Sequence, residues 1–234
     1  MSEILNILCA GAVQGIVKAL QKRFDDETGA TTKAQFGAVG AMKEALLAGD
    51  ACDVMIVTDA MVVALQAEGR LGSRARAPLG RVRTGVAVTS GQPLVDVATP
   101  EALKAALLAA SAIYFPDAQR STAGIHFASV LSQLGIAEAV ASRLRTFPNG
   151  ATAMRELAAD RSGRAIGCTQ ITEINYTPGA SLVGALPKQF ELATVYTAAV
   201  AAHTAQPALA QRFVDLLAGP ASLALRTEGG FEFD

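Results

Sequence analysis

Short loops of small and polar residues follow several of the apolar segments that have the length of a β-strand. They read AGAVQG from Ala10 to Gly15, GAVG from Gly37 to Gly40, and DAQRSTAG from Asp117 to Gly124. In open α/β sheets such loops carry ligands, because strand carboxyl ends and helix amino ends meet there. Backbone N–H groups and the helix dipole at these ends attract anions. We therefore predict a site for a small anion, although small residues in any one loop would also suit close strand–helix packing.

Arginines could add cationic donors to this site. Arg81 and Arg83 lie where the chain is predicted to cross between lobes, and Arg120 precedes a long central helix. A guanidinium can hold a carboxylate through two parallel hydrogen bonds, but each of the three also fits a solvated surface. The candidate ligand-binding residues are Ala12, Val13, Gln14, Ala38, Val39, Thr58, Arg81, Arg120, Ser121, Thr122, Asn149 and Gln170.

Three further residues could carry a proton, namely Asp59, His126 and Glu173. Each has a structural alternative, because His126 fits a core or interface position and the carboxylates fit a helix cap or first turn. The sequence contains no Ser/His/Asp order, no metal-ligand cluster and no phosphate-binding glycine loop. The catalytic residue therefore stays open, and neither a metal nor a cofactor is expected.

The composition narrows the class of protein. Of 234 residues, 51% are apolar and 18% charged, with a formal net charge of −1, which excludes a disordered chain and a broad basic surface for nucleic acid. No apolar run approaches the roughly 18 to 20 residues of a membrane span. Cys9, Cys52 and Cys168 are too scattered for a disulfide scaffold or a zinc site and are predicted to be reduced and to act as small apolar residues.

The hydrophobic periodicity alternates between strand and helix along almost the whole chain. Three strand–turn–helix units precede Gly69, which predicts a parallel sheet. Two long β-rich runs, from Arg81 and from Phe190, flank a second α/β unit at about residues 85–190. We predict an α/β fold of two lobes with a ligand cleft between them. Lobe 1 would comprise residues 1–83 and 195–234, and lobe 2 residues 84–194.

Two local signals are more specific. Thr99 and Pro100 are predicted to be the N-cap and the first residue of a helix. The segment GSRARAPLGR before Arg81 interrupts the alternation, so we predict an irregular connection there.

Several segments, in order, resemble the type II periplasmic solute-binding proteins, within their molybdate-binding branch. They are QFGAVGAMKEALLAGDACDVMIVTD, VRTGVAVTSGQP, AGIHFASVLSQLGIA, IGCTQITEI and LVGALPKQFELAT. The likeness covers nearly the whole chain and looks closest to a subfamily with an aconitate isomerase-like branch. It implies two Rossmann-like α/β lobes that are joined by two crossing strands and close on a ligand by a hinge.

The resemblance also bears on the ligand. Molybdate binders hold their oxyanion with serine hydroxyls and amides in the first two loops and with a tyrosine late in the second lobe. The matching positions here are Ala12, Ala38-Val39 and the vicinity of Gln170. Because the hydroxyl donors are missing, this pattern argues against molybdate and favours an organic di- or tricarboxylate.

The leading hypothesis is a substrate-binding protein that captures a small anionic ligand, and the alternative is an aconitate isomerase-like enzyme. The alternative would use Asp59, His126 or Glu173 as the base for allylic proton transfer, with Arg81 and Arg120 as clamps. No nucleic-acid partner and no membrane insertion are expected.

The N-terminal residues bear on location and on a protein partner. They run into an apolar strand without a basic region and a cleavage site, which predicts a cytoplasmic location. If a leader has been cut away, the location would be periplasmic, and the membrane component of an ABC transporter would be the partner.

Overall fold

The computed structural model describes residues 3–233, and all side chains within that range except those of residues 73–75. The strands are β1 (Ile4–Ala10), β2 (Thr31–Gly37), β3 (Val54–Thr58), β4 (Leu71–Thr89), β5 (Ile113–Pro116), β6 (Leu144–Phe147), β7 (Ile166–Gln170), β8 (Ala180–Ala185) and β9 (Ala193–Ala201). The helices are α1 (Gln14–Thr28), α2 (Val39–Ala48), α3 (Asp59–Ala67), α4 (Pro100–Ala109), α5 (Thr122–Gln133), α6 (Ala137–Val140), α7 (Gly150–Ala159), α8 (Ile171–Asn175), α9 (Pro207–Ala218) and α10 (Leu223–Gly229).

These elements form two units. Unit 1 comprises Met1–Arg81 and Thr194–Asp234, and unit 2 comprises Val82–Ala193. The chain therefore leaves unit 1 within β4 and re-enters it at the start of β9. Each unit is a mixed α/β structure with its own sheet and helices.

In unit 1 the strand order is β2-β1-β3-β9-β4. β1 pairs in parallel with β2 and β3, whereas β9 runs antiparallel to β3. The inner face of α1 is formed by apolar residues at helical spacing, which include Ile16, Leu20 and Phe24. The Phe24 ring meets Phe213 of α9 edge to face, with ring centroids 4.9 Å apart. This contact packs α9 against α1.

In unit 2 the strand order is β8-β4-β7-β5-β6. β5 is parallel to β6 and β7, and β4 is antiparallel to β7 and β8. The core on one side of this sheet is aliphatic apart from a few rings, among them Phe115 and Phe127. The N-cap of α4 is as predicted, because the Thr99 hydroxyl accepts a hydrogen bond from the N–H of Ala102 at 3.1 Å.

Some elements differ from the sequence prediction. β4 runs without interruption through the segment that was predicted to be irregular. The β-rich run from Arg81 predicts the second half of this strand, whereas the residues before Arg81 give no local signal. Pairing partners of β4, such as Glu232 opposite Arg81, lie far away in the sequence. α2 begins at Val39, inside the predicted GAVG turn, and the short α8 was not predicted at all.

Within the described residues, no single helix is long and apolar enough to span a membrane. One pair, Thr122–Gln133 with Ala137–Arg143, meets the test of length and composition together but is bent by 116°.

Candidate functional site

The carboxyl ends of the three parallel strands of unit 1 lie at one edge of its sheet. β1 ends at Ala10, β2 at Gly37 and β3 at Thr58, and each is followed directly by a helical segment. After β1 the chain forms a 3₁₀ turn over Gly11–Val13 and then enters α1. The predicted residues Ala12, Val13 and Gln14 therefore lie at this edge, followed along the chain by Ala38, Val39 and Thr58.

Two of these helical starts lack a side-chain cap. Neither Ala10, which precedes the 3₁₀ turn, nor Ala38, which precedes α2, has a side-chain acceptor atom. The first N–H groups of a helix have no acceptor within the helix itself. In α2 the first turn closes with the bond from the N–H of Met42 to the Ala38 carbonyl, at 3.0 Å. The edge of unit 1 thus offers amide donors and the positive end of a helix dipole to an anion.

Thr58 adds a hydroxyl to this edge. Its oxygen caps α3 by accepting from the N–H of Met61 at 3.3 Å, which leaves its own proton for another acceptor. The neighbouring carboxylate of Asp59 accepts from the Thr197 hydroxyl at 2.9 Å and pairs with Arg76 at 3.2 Å. Thr197 and Arg76 thus hold one carboxylate oxygen of Asp59 within unit 1. These contacts give this candidate base a structural role.

The carboxyl edge of unit 2 is formed by β5, β6 and β7. The N–H of Asp117, just after β5, donates to the Phe147 carbonyl at the end of β6, at 2.7 Å. α5 begins close against β5, because a Cβ at Gly124 would lie 2.2 Å from the Asp117 carbonyl oxygen. Only glycine fits there without a shift of the backbone.

The polar residues predicted at this edge are largely caps. Ser121 accepts from the N–H of Gly124 at 3.4 Å, and the Asn149 side-chain oxygen accepts from the N–H of Thr152 at 2.8 Å. Thr122 is the first residue of α5 and is half-buried. The side chain of Arg120 is exposed, while its N–H donates to the Asp117 carboxylate at 3.0 Å.

Gln170 at the end of β7 has an unusual environment. The residue is 2% exposed, and neither its side-chain oxygen nor its side-chain nitrogen forms a hydrogen bond within the described residues. Thr84, its register partner on β4, and Thr172, two residues further on, are buried as well, and their hydroxyls also lack partners. A buried amide without a partner is costly, because it loses its bonds to water without replacement.

Glu173 lies in α8, near the start of α7. Unlike the side chain of Gln170, its carboxylate accepts several hydrogen bonds. Its carboxylate accepts from the Thr169 hydroxyl at 2.5 Å and from the N–H of Ala151 at 3.2 Å. It also accepts from the N–H groups of Gly150 and Gln170. A Cβ at Gly150 would lie 2.0 Å from both the Glu173 carboxylate and the Thr169 hydroxyl, so glycine makes room for this arrangement.

Two effects oppose each other at the Glu173 carboxylate. Burial raises its pKa above the ordinary value, and the hydrogen bonds from Thr169 and the backbone only partly offset that rise. In the described residues Glu173 forms no salt bridge with a lysine or arginine. Its favourable partners are therefore the Thr169 hydroxyl and the backbone N–H groups, two of which belong to the start of α7.

The remaining candidates have structural partners. Nε2 of His126 donates to the Phe190 carbonyl at 2.7 Å. Arg81 lies 3.6 Å from the Glu232 carboxylate, and Arg83 lies 3.9 Å from that of Glu191. Burial raises the pKa of the Cys52 thiol to about 12, and those of Cys9 and Cys168 are raised as well.

Sequence reasoning missed Thr84 and Thr172, and it did not predict the contact of Thr169 with Glu173. Thr84 belongs to a strand whose partner lies more than 80 residues away, so its position opposite Gln170 could not be inferred locally. The spacing of Thr169 and Glu173, four residues apart across a strand end, was the one available signal for their contact. No group of three or more histidine, cysteine or acidic residues in the described part could hold a metal ion.

The family of bacterial extracellular solute-binding proteins matches the chain over residues 5–232. Among solved structures, the periplasmic molybdate-binding protein of Azotobacter vinelandii is similar with a TM-score of 0.80. The two sequences are 20% identical, and the match covers 98% of this chain and 99% of the other. The substrate-binding domain of a putative molybdenum ABC transporter from Clostridium difficile is similar with a TM-score of 0.68 at 15% identity, with both chains covered completely.

A similar enzyme is also known. An aconitate isomerase from Pseudomonas sp is 23% identical over 220 residues, which covers 92% of this chain and 82% of the enzyme. These likenesses establish the fold of the chain as that of the type II periplasmic binding proteins.

Proposed function

The chain belongs to the bacterial extracellular solute-binding proteins, and from this premise we propose that it captures a small carboxylate anion. The observation that carries the proposal is the side-chain amide of Gln170, which is buried and without a partner beside the hydroxyls of Thr84 and Thr172. A ligand oxygen that accepted from this amide would satisfy a donor that nothing in unit 2 satisfies.

The edge of unit 1, taken by itself, also carries donors that suit an anion. Its donors are backbone N–H groups at the starts of the 3₁₀ turn and of α2, together with the Thr58 hydroxyl. Planar carboxylate oxygens accept from such amides without needing a fixed cation. Molybdate binders in the family fold use serine hydroxyls where this chain has Ala12 and Ala38, so we propose an organic anion instead of molybdate.

The proposal is tested by a thermal-shift screen of the purified chain with dicarboxylates, tricarboxylates, sulfate and molybdate. A ligand at 100 times its dissociation constant stabilises the folded state by about 2.7 kcal/mol. We expect a dicarboxylate or tricarboxylate to raise the unfolding temperature, and molybdate to leave it unchanged. A shift with molybdate alone would contradict the proposal.

The Gln170→Leu variant connects the binding to the proposed site. The substitution removes the unpartnered amide, so the free protein should be at least as stable as the parent, while affinity for the carboxylate falls about tenfold or more. Gln133→Leu is the matched control, because Gln133 is exposed at the end of α5. Equal affinity in all three proteins would exclude Gln170 from the site.

The protein partner that we propose is the membrane component of an ABC transporter, with the chain acting outside the cytoplasmic membrane. The support is the family itself and the similarity to a transporter's substrate-binding domain. Cell fractionation with an antibody against the chain tests the location, and co-purification with a membrane permease tests the partner. Recovery in the cytoplasmic fraction alone would contradict both.

An isomerase on the same scaffold is the second candidate, supported by the similarity to aconitate isomerase. It requires a base that reaches the substrate, and the three candidates each have an internal partner: Asp59 with Thr197, His126 with Phe190, and Glu173 with Thr169. The test is an NMR time course with cis-aconitate. Conversion at a rate proportional to protein concentration would establish the enzyme, and binding without conversion would exclude it.

A further inference from the structure

The Glu173 carboxylate holds a place that an external anion would otherwise take. α7 is ten residues long, and the N–H groups of Gly150 and Ala151 at its start donate to this carboxylate. Such groups at the start of a helix are common binding positions for anions. Here the protein supplies the anion from its own chain, from a residue that is 6% exposed.

The donors around Glu173 fit an ionised carboxylate. Three backbone N–H groups, which can only donate, face its two oxygens, and the Thr169 hydroxyl is the one described contact that could also accept from a protonated carboxyl, so the set as a whole favours the ionised form. The absence of a salt bridge leaves its charge without a neutralising cation in the described residues.

The position of this charge relative to Gln170 follows from one contact. The N–H of Gln170 donates to the Glu173 carboxylate, while the side-chain amide of the same residue has no partner. A ligand atom bound to that side chain would lie on the order of 10 Å or less from the carboxylate, since it is separated by one hydrogen bond, one side chain and a second hydrogen bond. At such distances, in a buried site, like charges repel appreciably.

We infer that Glu173 is a specificity-determining residue that limits the charge of the ligand. This inference rests on the proposed function and deepens it. The ligand group that binds Gln170 is either uncharged, as a hydroxyl or an amide is, or a single carboxylate. Ligands that place an additional carboxylate toward the start of α7 are rejected. Dicarboxylates are accordingly preferred over tricarboxylates of the same carbon skeleton.

The experiment compares glutarate with propane-1,2,3-tricarboxylate, which adds one carboxylate to the same five-carbon backbone. Dissociation constants are measured by calorimetry at pH 8, where both are fully ionised. We expect the parent protein to bind glutarate about tenfold or more tightly than the tricarboxylate. Equal affinity, or a preference for the tricarboxylate, would overturn the inference.

Glu173→Gln removes the charge and retains the shape of the side chain. In this variant the preference for glutarate should shrink by about tenfold, because the additional carboxylate of the tricarboxylate is no longer repelled by a charge at position 173. Glu173→Asp keeps the charge, and Thr169→Val keeps it while deleting one donor, so both should preserve the preference of the parent. If Glu173→Gln does not fold, the preference of the parent together with that of Glu173→Asp decides the question.

The outcomes separate the inference from the proposed function. If carboxylates bind but the ratio is the same in the parent and in Glu173→Gln, only the inference fails. If neither carboxylate binds to the parent or to any variant, the proposed function fails and the inference with it.

Discussion

At the residue scale, two polar side chains of unit 2 that lie three positions apart have opposite environments. Within the described residues the side chain of Gln170 has no partner, whereas the Glu173 carboxylate has several donors and no cation. An amide without a partner at a strand's carboxyl end favours a binding role, since it is costly unless something else accepts from it. A carboxylate with all its oxygens engaged favours a fixed role, and a proton-transfer base would need at least one oxygen free to approach a substrate.

A substitution at Gly150 tests the fixed role of Glu173 through the stability of the protein. In Gly150→Ala the new methyl carbon would lie 2.0 Å from the Glu173 carboxylate and the Thr169 hydroxyl, both of which are buried. We expect the free energy of unfolding to fall by about 2 kcal/mol or more, although alanine is ordinarily the better helix former.

The measurement is urea unfolding followed by circular dichroism. Gly72→Ala is the control, because its methyl carbon would lie 3.5 Å from the Val200 carbonyl oxygen, an ordinary contact distance. A Gly150→Ala variant as stable as the parent would show that the Glu173 carboxylate can move aside.

At the scale of elements, local sequence signals predicted the helices better than the sheet. The caps by Thr99, Thr58 and Asn149 can be inferred from neighbouring residues, because a cap needs only the side chain and an N–H three positions later. The first half of β4 and the whole of β8 were not predicted, because these strands are fixed by partners that lie far away in the sequence.

The candidate site likewise has parts that the local sequence predicts and parts that it does not. The loops at the carboxyl ends of the strands could be predicted, because they follow recognisable apolar runs. Two parts of the site could not be predicted from local sequence. The contact between Glu173 and Gly150 depends on the packing of α8 against α7, and the position of Thr84 opposite Gln170 depends on strand register. The predicted ligand-binding residues, Arg81 and Arg120 among them, stay predictions until a ligand is identified.

The cap of α4 provides a test that is independent of the candidate site. In Thr99→Ala the N–H of Ala102 loses its acceptor, and the free energy of unfolding should fall by about 0.5 to 2 kcal/mol. Thr99→Ser retains the hydroxyl and should lose much less. Chemical denaturation of the three proteins gives the comparison, and identical stabilities would indicate that water replaces the cap.

At the scale of the whole molecule, net charge is a poor guide to local electrostatics. The chain carries a formal net charge of −1 and a composition that is only 18% charged. The starts of a few helices nevertheless attract anions locally, and at the start of α7 the buried Glu173 carboxylate already satisfies that attraction. The near-neutral total is therefore compatible with recognition of an anionic ligand, because the relevant field acts over a few ångströms.

The buried charge also has a consequence for global stability. Burial raises the pKa of Glu173, so the folded protein takes up its proton at a higher pH than the unfolded chain, whose ordinary value is 4.5. Between the two pKa values the folded state binds more protons, so the free energy of unfolding falls as the pH rises. Below the unfolded value both states are protonated and the contribution stays constant.

The comparison with Glu173→Gln isolates this contribution. We expect the stability of the parent relative to the variant to fall as the pH rises from 4.5 toward the higher value of the folded state. Urea unfolding of both proteins at half-unit steps of pH is the measurement. A difference that increases with pH would mean that the hydrogen bonds outweigh burial and hold the pKa of Glu173 below its ordinary value.

The division of the chain into two units also determines the order in which they can fold during synthesis. Every residue of unit 2 lies in one continuous stretch, Val82–Ala193, whereas β9, which lies between β3 and β4 in the sheet of unit 1, is made only afterwards. On the ribosome, unit 2 can therefore fold while the sheet of unit 1 still lacks a central strand. Unit 1 then exposes the unpaired edges of β3 and β4 until β9 emerges, which is the interval in which the nascent chain most needs protection from aggregation.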